Sequence, residues 1–149
     1  MKKLVFLALL LFASCTFTFS QIGLGVGSSG FNLKTSPDKN LGLIFRTNFR
    51  IGNDILVIPE INGIKRLVNE DKAKLYLGVG VGSYILADQS FDRFNTVYIK
   101  VPVGIEYFPF ESKRFSLTAE TGLGYFNSEA ENSLNFMSLL ELTFYLQKK

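Results

Sequence analysis

The feature that most limits the fold of this chain is a series of segments in which apolar residues alternate with small or polar ones. In TVYIKVPVGIEYF, residues 96–108, valine, isoleucine and tyrosine occupy the odd positions, whereas Lys100 and Glu106 share the even positions with glycine, proline and other residues. Side chains alternate between the two faces of a β-strand, so this pattern gives one apolar and one small or polar face. From residue 21 onward such segments are separated by turn residues and none has a long helical period, which predicts an all-β chain.

The alternating segments give a strand count. Seven are evident, at residues 22–31, 41–51, 55–69, 73–87, 96–108, 113–126 and 133–147. Closed barrels that cross a membrane normally have an even number of strands, so one more is expected. Asn62-Gly63 is typical of two-residue hairpin turns, and a turn there divides the third segment into 55–61 and 64–69. The alternative is a continuous strand, because both halves are shorter than the roughly nine to eleven residues of a membrane-spanning strand.

The same division sorts the connections between strands into two groups. The short turns are expected at one end of the barrel, at residues 52–54, 70–72 and 109–112. The longer loops are expected at the other end, at residues 32–40, 87–94 and 127–132. Short turns on one side and longer loops on the other are usual for outer-membrane barrels. The longer loops are therefore the expected contact surface for envelope or extracellular partners.

The first 20 residues predict a cleaved signal peptide. Two lysines precede an apolar run, and small residues precede the expected cleavage site after Ser20. Lipidation at Cys15 is the alternative, because this cysteine follows two small residues. Cleavage leaves residues 21–149 as a single barrel domain without cysteine, and it removes Lys2 and Lys3. The remaining 14 basic and 13 acidic residues lower the formal charge from +3 to +1.

The composition excludes several kinds of chemistry. The chain has no histidine, so histidine-based catalytic triads and histidine-ligated metal sites are excluded. Without a cysteine in the exported domain, no disulfide or thiol chemistry is expected. The basic residues are scattered and the domain is nearly neutral, so no stripe suits nucleic-acid phosphates. We therefore expect no cofactor, no metal and no nucleic-acid partner.

The composition of the two strand faces indicates which one meets an apolar environment. A soluble barrel such as a lipocalin carries apolar side chains inside and dense charge outside. Here the non-apolar face consists of glycine, serine, threonine and tyrosine with one or two ionic residues per strand. Glycine weakens a water-exposed strand, whereas glycine facing a narrow lumen leaves room for Tyr76, Tyr84 and Tyr98. The valine row is therefore predicted to face lipid, with Lys100 and Glu106 in a polar interior.

Several stretches together carry a resemblance to a known family. They are the signal-like N terminus and the strands LYLGVGVGSY, VPVGIEYFPF, SLTAETGLGYF and LLELTFYL. Over essentially all of residues 21–149, the chain resembles the small eight-stranded bacterial outer-membrane β-barrels of the OmpX and OmpA-membrane-domain type. The resemblance implies a single up-and-down antiparallel transmembrane barrel, an outer-membrane location, a plugged lumen and no generic enzymatic activity.

The charged residues of the strands form the candidate site. We expect them to build an ion-pair network inside the lumen, because unpaired charges in a narrow interior are costly; contact with lumenal water is the alternative for some of them. The members are Arg46, Arg50, Glu60, Lys100, Glu106, Glu120 and Glu141. The short turn between their strands places Arg46 opposite Glu60. A tight turn centred near Ser112 is expected to place Lys100 opposite Gly122 and diagonal to Glu120.

These observations predict a small monomeric barrel in contact with outer-membrane lipid, with a structural or interaction role in the cell envelope and no catalysis. One alternative is a secreted, soluble, lipocalin-like barrel that binds an apolar ligand and carries the valine row inside. Another alternative is a narrow pore, which needs a continuous water path past the lumenal charges.

Overall fold

The computed structural model describes residues 21–28, 30–35, 37–51, 55–86, 94–128 and 132–147. The expected signal peptide, with cleavage after Ser20 or lipidation at Cys15, lies outside these residues and stays a prediction. Within the described residues, no helix is long and apolar enough to cross a membrane.

Eight β-strands close into one antiparallel barrel. Their bounds are Gln21–Gly27 (β1), Gly30–Thr35 (β2), Leu41–Ile51 (β3), Ile55–Asn69 (β4), Ala73–Leu86 (β5), Phe94–Tyr107 (β6), Phe115–Ser128 (β7) and Ser133–Gln147 (β8). Each strand pairs with its neighbour in sequence, and β1 pairs with β8. The predicted fold class, an all-β up-and-down barrel of eight strands, is therefore confirmed.

The eighth strand arises at a different place from the predicted one. β4 runs through Asn62-Gly63 without a break, so the predicted hairpin is wrong and the continuous alternative is correct. The Asn62 amide is buried in the lumen and donates to Glu60 at 2.6 Å, while β3 and β5 pair with β4 on both sides of this point. Instead, segment 22–31 divides within GSSG at residues 27–30. Glycine and serine both favour turns there.

This division reverses the ends of two connections. We call the end with connections 36–40, 70–72 and 108–114 the lower rim, and the end with connections 28–29, 52–54, 87–93 and 129–132 the upper rim. The prediction of a long loop at 32–40 is wrong, because residues 32–35 belong to β2 and residues 37–40 lie at the lower rim. The turn predicted at 52–54 lies outside the described residues, but β3 ends and β4 begins at the upper rim, the same end as the strands joined by the loops predicted at 87–94 and 127–132. Because β2 adds one strand near the start of the chain, the connections predicted at 32–40 and 52–54 exchange ends of the barrel.

The two faces of the wall differ in exposure as the alternation predicts. On β6, the outward Val97, Ile99 and Val101 are 47%, 56% and 48% exposed, whereas the inward Lys100 and Glu106 are 3% and 1% exposed. An eight-stranded barrel is just wide enough for side chains to fill its interior. The valine row therefore lies on the outer surface and the ionic residues lie in the lumen.

Aromatic side chains on the outer surface lie near both rims. Tyr107, Phe115 and Phe144 are exposed near the lower rim, and Tyr125 and Phe136 are exposed near the upper rim. Outer-membrane barrels carry aromatic girdles at both interfaces with an apolar band between them. The outer surface of this barrel has the same arrangement.

Candidate functional site: the charged lumen

Arg46 of β3 is the centre of the lumenal charges. Its Nη1 lies 3.0 Å from Glu60 Oε1 on β4, its Nη2 lies 2.8 Å from Glu120 Oε2 on β7, and its Nε lies 2.6 Å from Glu141 Oε1 on β8. All four side chains are buried. Because a guanidinium offers five N–H donors in a fixed plane, one arginine can join three carboxylates from three other strands.

Lys100 of β6 supplies a second cation to the same carboxylates. Its Nζ lies 2.7 Å from Glu60 Oε1 and 2.9 Å from Glu120 Oε1. The pairing of β6 with β7 is symmetrical about Ser112, so Lys100 lies opposite Gly124, and the prediction that it faces Gly122 is wrong by two residues. Arg46 does lie opposite Glu60 in the β3–β4 register.

A second group of charges lies closer to the lower rim around Glu106. Its Oε1 accepts hydrogen bonds from the Tyr145 hydroxyl at 2.6 Å and the Ser116 hydroxyl at 2.7 Å. Lys34 Nζ lies 3.6 Å from Glu106 Oε1 and 3.1 Å from Glu141 Oε2, so it links this group to the one around Arg46. Through Lys34, the charges around Glu106 and those around Arg46 form one connected set along the lumen.

Two tyrosines fill the lumen beside these charges. The Tyr76 hydroxyl donates to Glu120 Oε2 and the Tyr98 hydroxyl donates to Glu60 Oε2, both at 2.6 Å. Their rings lie against glycines: a Cβ atom built on Gly104 would be 2.3 Å from the Tyr76 ring, and one on Gly82 would be 2.4 Å from the Tyr98 ring. Inward glycine therefore makes room for inward tyrosine, as the sequence predicts.

The lower mouth of the lumen is crossed by the connection at 37–40. Lys74 Nζ donates to the Pro37 carbonyl at 2.8 Å, the Asn69 amide donates to the Asp38 carbonyl at 3.3 Å, and the Arg66 guanidinium donates to the Lys39 carbonyl. Lys74 also lies over the Phe108 ring, 5.4 Å from its centroid. Residues 37–40, which were predicted to belong to a long loop at the other end of the barrel, are thus hydrogen-bonded across the lower mouth.

The structure brings together most, but not all, of the predicted site residues. Arg46, Glu60, Lys100, Glu120 and Glu141 form one contact group, and Glu106 joins it through Lys34. The Arg50 side chain lies outside the described part of the chain. Lys34, Arg66 and Lys74 are lumenal cations that were not among the predicted site residues. Lys74 already has the inward parity of its predicted strand, and Lys34 and Arg66 have the inward parity once β2 and the continuous β4 are recognised.

In this arrangement the lumenal glutamates and the lumenal arginine and lysine side chains neutralise one another. Each of the four inward glutamates that the structure describes contacts at least one cation, and each link joins different strands of the wall. Among the described residues, no group of three or more histidine, cysteine or acidic side chains could hold a metal ion. A cavity of about 70 Å³ adjoins Glu60, Lys100 and Glu120. It is smaller than the roughly 300 to 1,000 Å³ typical of small-molecule sites.

No family model and no curated protein sequence matches this chain. Among solved structures, the barrel is similar to the outer membrane protein Ail of Yersinia pestis, whose backbone structure was determined in a phospholipid bilayer nanodisc. The TM-score is 0.53 and the sequence identity is 16%, and the match covers 86% of this chain and 99% of the Ail chain. The predicted resemblance to small eight-stranded outer-membrane barrels is therefore confirmed at the level of the fold.

Proposed function

We propose that this protein is a small integral barrel of the bacterial outer membrane, with a plugged polar lumen and a structural or interaction role in the envelope. The observation that carries the proposal is the distribution of charge and apolar surface. The outward rows are apolar and exposed, whereas Arg46, Lys100 and the glutamates around them are buried. Because the sheet closes into a barrel, it has no free edge with unpaired backbone N–H and C=O groups, which could not find partners in lipid.

The plug in this proposal is the set of ion pairs and tyrosines across the lumen. Arg46 reaches carboxylates on three other strands, and the Tyr76 and Tyr98 rings lie against the opposite glycines. The lower mouth is covered by residues 37–40. These contacts favour a closed lumen over a narrow pore.

The envelope role is assigned to the upper rim. Loops 87–94 and 127–132 are the proposed contact surface for envelope or extracellular partners, and the protein acts as a monomer without a cofactor. No catalytic step is part of the proposal, because the inward glutamates are neutralised by cations and the adjoining cavity is small. The soluble lipocalin-like alternative requires the valine row inside the barrel, and the outward exposure of that row speaks against it.

Fractionation tests the membrane location. After expression with its own first 20 residues, the protein should remain in the outer membrane through a carbonate wash and migrate faster on a gel when it is not boiled. Val101→Lys should lower the free energy of unfolding by about 2–4 kcal/mol, because it places a charge in the middle of the lipid-facing row. Glu111→Lys, at an exposed lower-rim position, should have little effect. A soluble periplasmic protein that tolerates Val101→Lys would refute the proposal.

Conductance tests the plug separately. The purified barrel should produce no channel steps in a planar lipid bilayer. Regular conductance steps would contradict the plugged lumen while leaving the membrane location intact.

A further inference from the structure

One region of the outer wall departs from the apolar pattern. Lys65 of β4 points outward and is exposed, between Leu41 on β3 and Leu77 on β5. Among the described side chains of the eight outward rows, it is the one charged residue. It also has no ion-pair partner among the residues that the structure describes. A cation in a lipid-facing wall is costly unless its charge reaches the interface or an anion.

A groove lies beside Lys65 on the same surface. It has a volume of about 560 Å³ and its lining is almost wholly apolar. Gly63 forms its floor: it occupies an outward position without a side chain, and a Cβ atom built there would meet only the Val79 carbonyl oxygen, at 4.0 Å. Gly63 lies between Leu43 on β3 and Val79 on β5, and Val79 is 61% exposed.

The position of Lys65 relative to the lower rim shows which part of the groove lies near the membrane interface. Lys65 pairs with the first residue of β3, and the Arg66 amide donates to the Asn40 carbonyl at 2.7 Å in the lower-rim connection. Lys65 therefore lies toward the lower rim, while Gly63 and Val79 lie further into the apolar band. A lysine at this depth can extend its amine toward the headgroup region while its methylenes stay in the apolar layer.

We propose that this groove binds one phospholipid with an anionic headgroup from the leaflet at the lower rim. An acyl chain lies over Gly63 between Leu43 and Val79, and the headgroup phosphate accepts hydrogen bonds from Lys65 Nζ. The single unpaired cation beside an apolar groove matches the charge and shape of such a lipid. The inference rests on the proposed membrane location, since the groove meets lipid only if the barrel spans a bilayer.

A tryptophan reporter can test this proposal because the chain contains no tryptophan. Ile61→Trp places one indole two residues from Gly63 on the outward row of β4. Quenching by phosphatidylglycerol with brominated acyl chains is compared with quenching by brominated phosphatidylcholine in bilayers of both lipids. We expect phosphatidylglycerol to bind about fivefold more tightly at this reporter, the effect of one lysine near an anionic lipid. A matched reporter, Leu123→Trp on β7, should show no preference.

Variants in the reporter background locate the site. Lys65→Gln should abolish the preference for phosphatidylglycerol, Lys65→Arg should retain it, and Gly63→Leu should reduce it by filling the groove. Equal quenching by the two lipids at the Ile61→Trp reporter, or a preference that survives Lys65→Gln, would overturn the proposal. If the protein inserts and is heat-modifiable but shows no preference, only this inference fails. If it does not insert into bilayers at all, the proposed function fails with it.

Discussion

Replacing Arg46 by methionine tests whether the lumenal ion pairs hold the barrel together. The substitution keeps the length of the side chain but removes the cation that contacts three glutamates at 2.6–3.0 Å. Lys34, Lys100 and Arg66, whose Nη2 lies 4.0 Å from Glu106 Oε2, then face the four inward glutamates, so one negative charge is left uncompensated. Removing one partner of a buried ion pair typically costs about 3–5 kcal/mol. We expect Arg46→Met to lower the free energy of unfolding by this amount.

The assay is urea unfolding of the barrel in lipid vesicles, followed by circular dichroism and by the gel shift between folded and unfolded forms. Adding Glu120→Gln to Arg46→Met restores the charge balance, so the double variant should be more stable than the single one. Arg114→Met removes an exposed arginine and should change the free energy of unfolding by less than about 0.5 kcal/mol. If Arg46→Met costs no more than Arg114→Met, or if the double variant is less stable than the single, the ion pairs do not act as argued.

Two further predictions concern packing and pH. Gly104→Ala should lower the free energy of unfolding by about 1–3 kcal/mol, because its Cβ atom would be 2.3 Å from the Tyr76 ring. Gly63→Ala is the control: its Cβ atom meets open space, so the free energy of unfolding should change by less than about 0.5 kcal/mol in the same urea titration. At the lower rim, Lys113 donates a 2.6 Å hydrogen bond to Asp71 and thereby lowers the pKa of that carboxyl. The stability from this pair should be complete above the unfolded pKa of about 3.9 and lost as the pH falls through the lower folded value, and Lys113→Gln should return the pKa measured by carbon NMR toward 3.9.

The direction in which each strand residue points could be predicted from the sequence. Parity along a strand is local information, so Lys100, Glu106 and Gly104 could be assigned to one face without knowing their neighbours. The same alternation places glycine and tyrosine together on the inward face, which predicts that tyrosine rings pack against inward glycines. The contact of Gly104 with Tyr76 confirms this prediction. The long, regular strands β5 to β8 were therefore the most predictable part of the fold.

The short strands were less predictable. β1 and β2 have seven and six residues, so each offers only a few alternating positions. The dipeptide Asn62-Gly63 suits a hairpin turn locally, yet the pairing of β4 with two neighbours keeps it extended. Lys34 escaped assignment because residues 32–35 of β2 were predicted to lie in a loop. Tertiary pairing decided these positions against the local preference.

The sequence by itself determined the class of barrel and the side of the wall on which each residue lies, because a period of two assigns a face to every strand position. Only the tertiary structure decided where the chain turns at residues 27–30 and which charges meet. Arg46 and Glu141 are 95 positions apart and come into contact only because β1 pairs with β8 and closes the wall. Contacts across a lumen depend on closure and on the register of all the strands between them. Neither can be read from the pattern of any one strand.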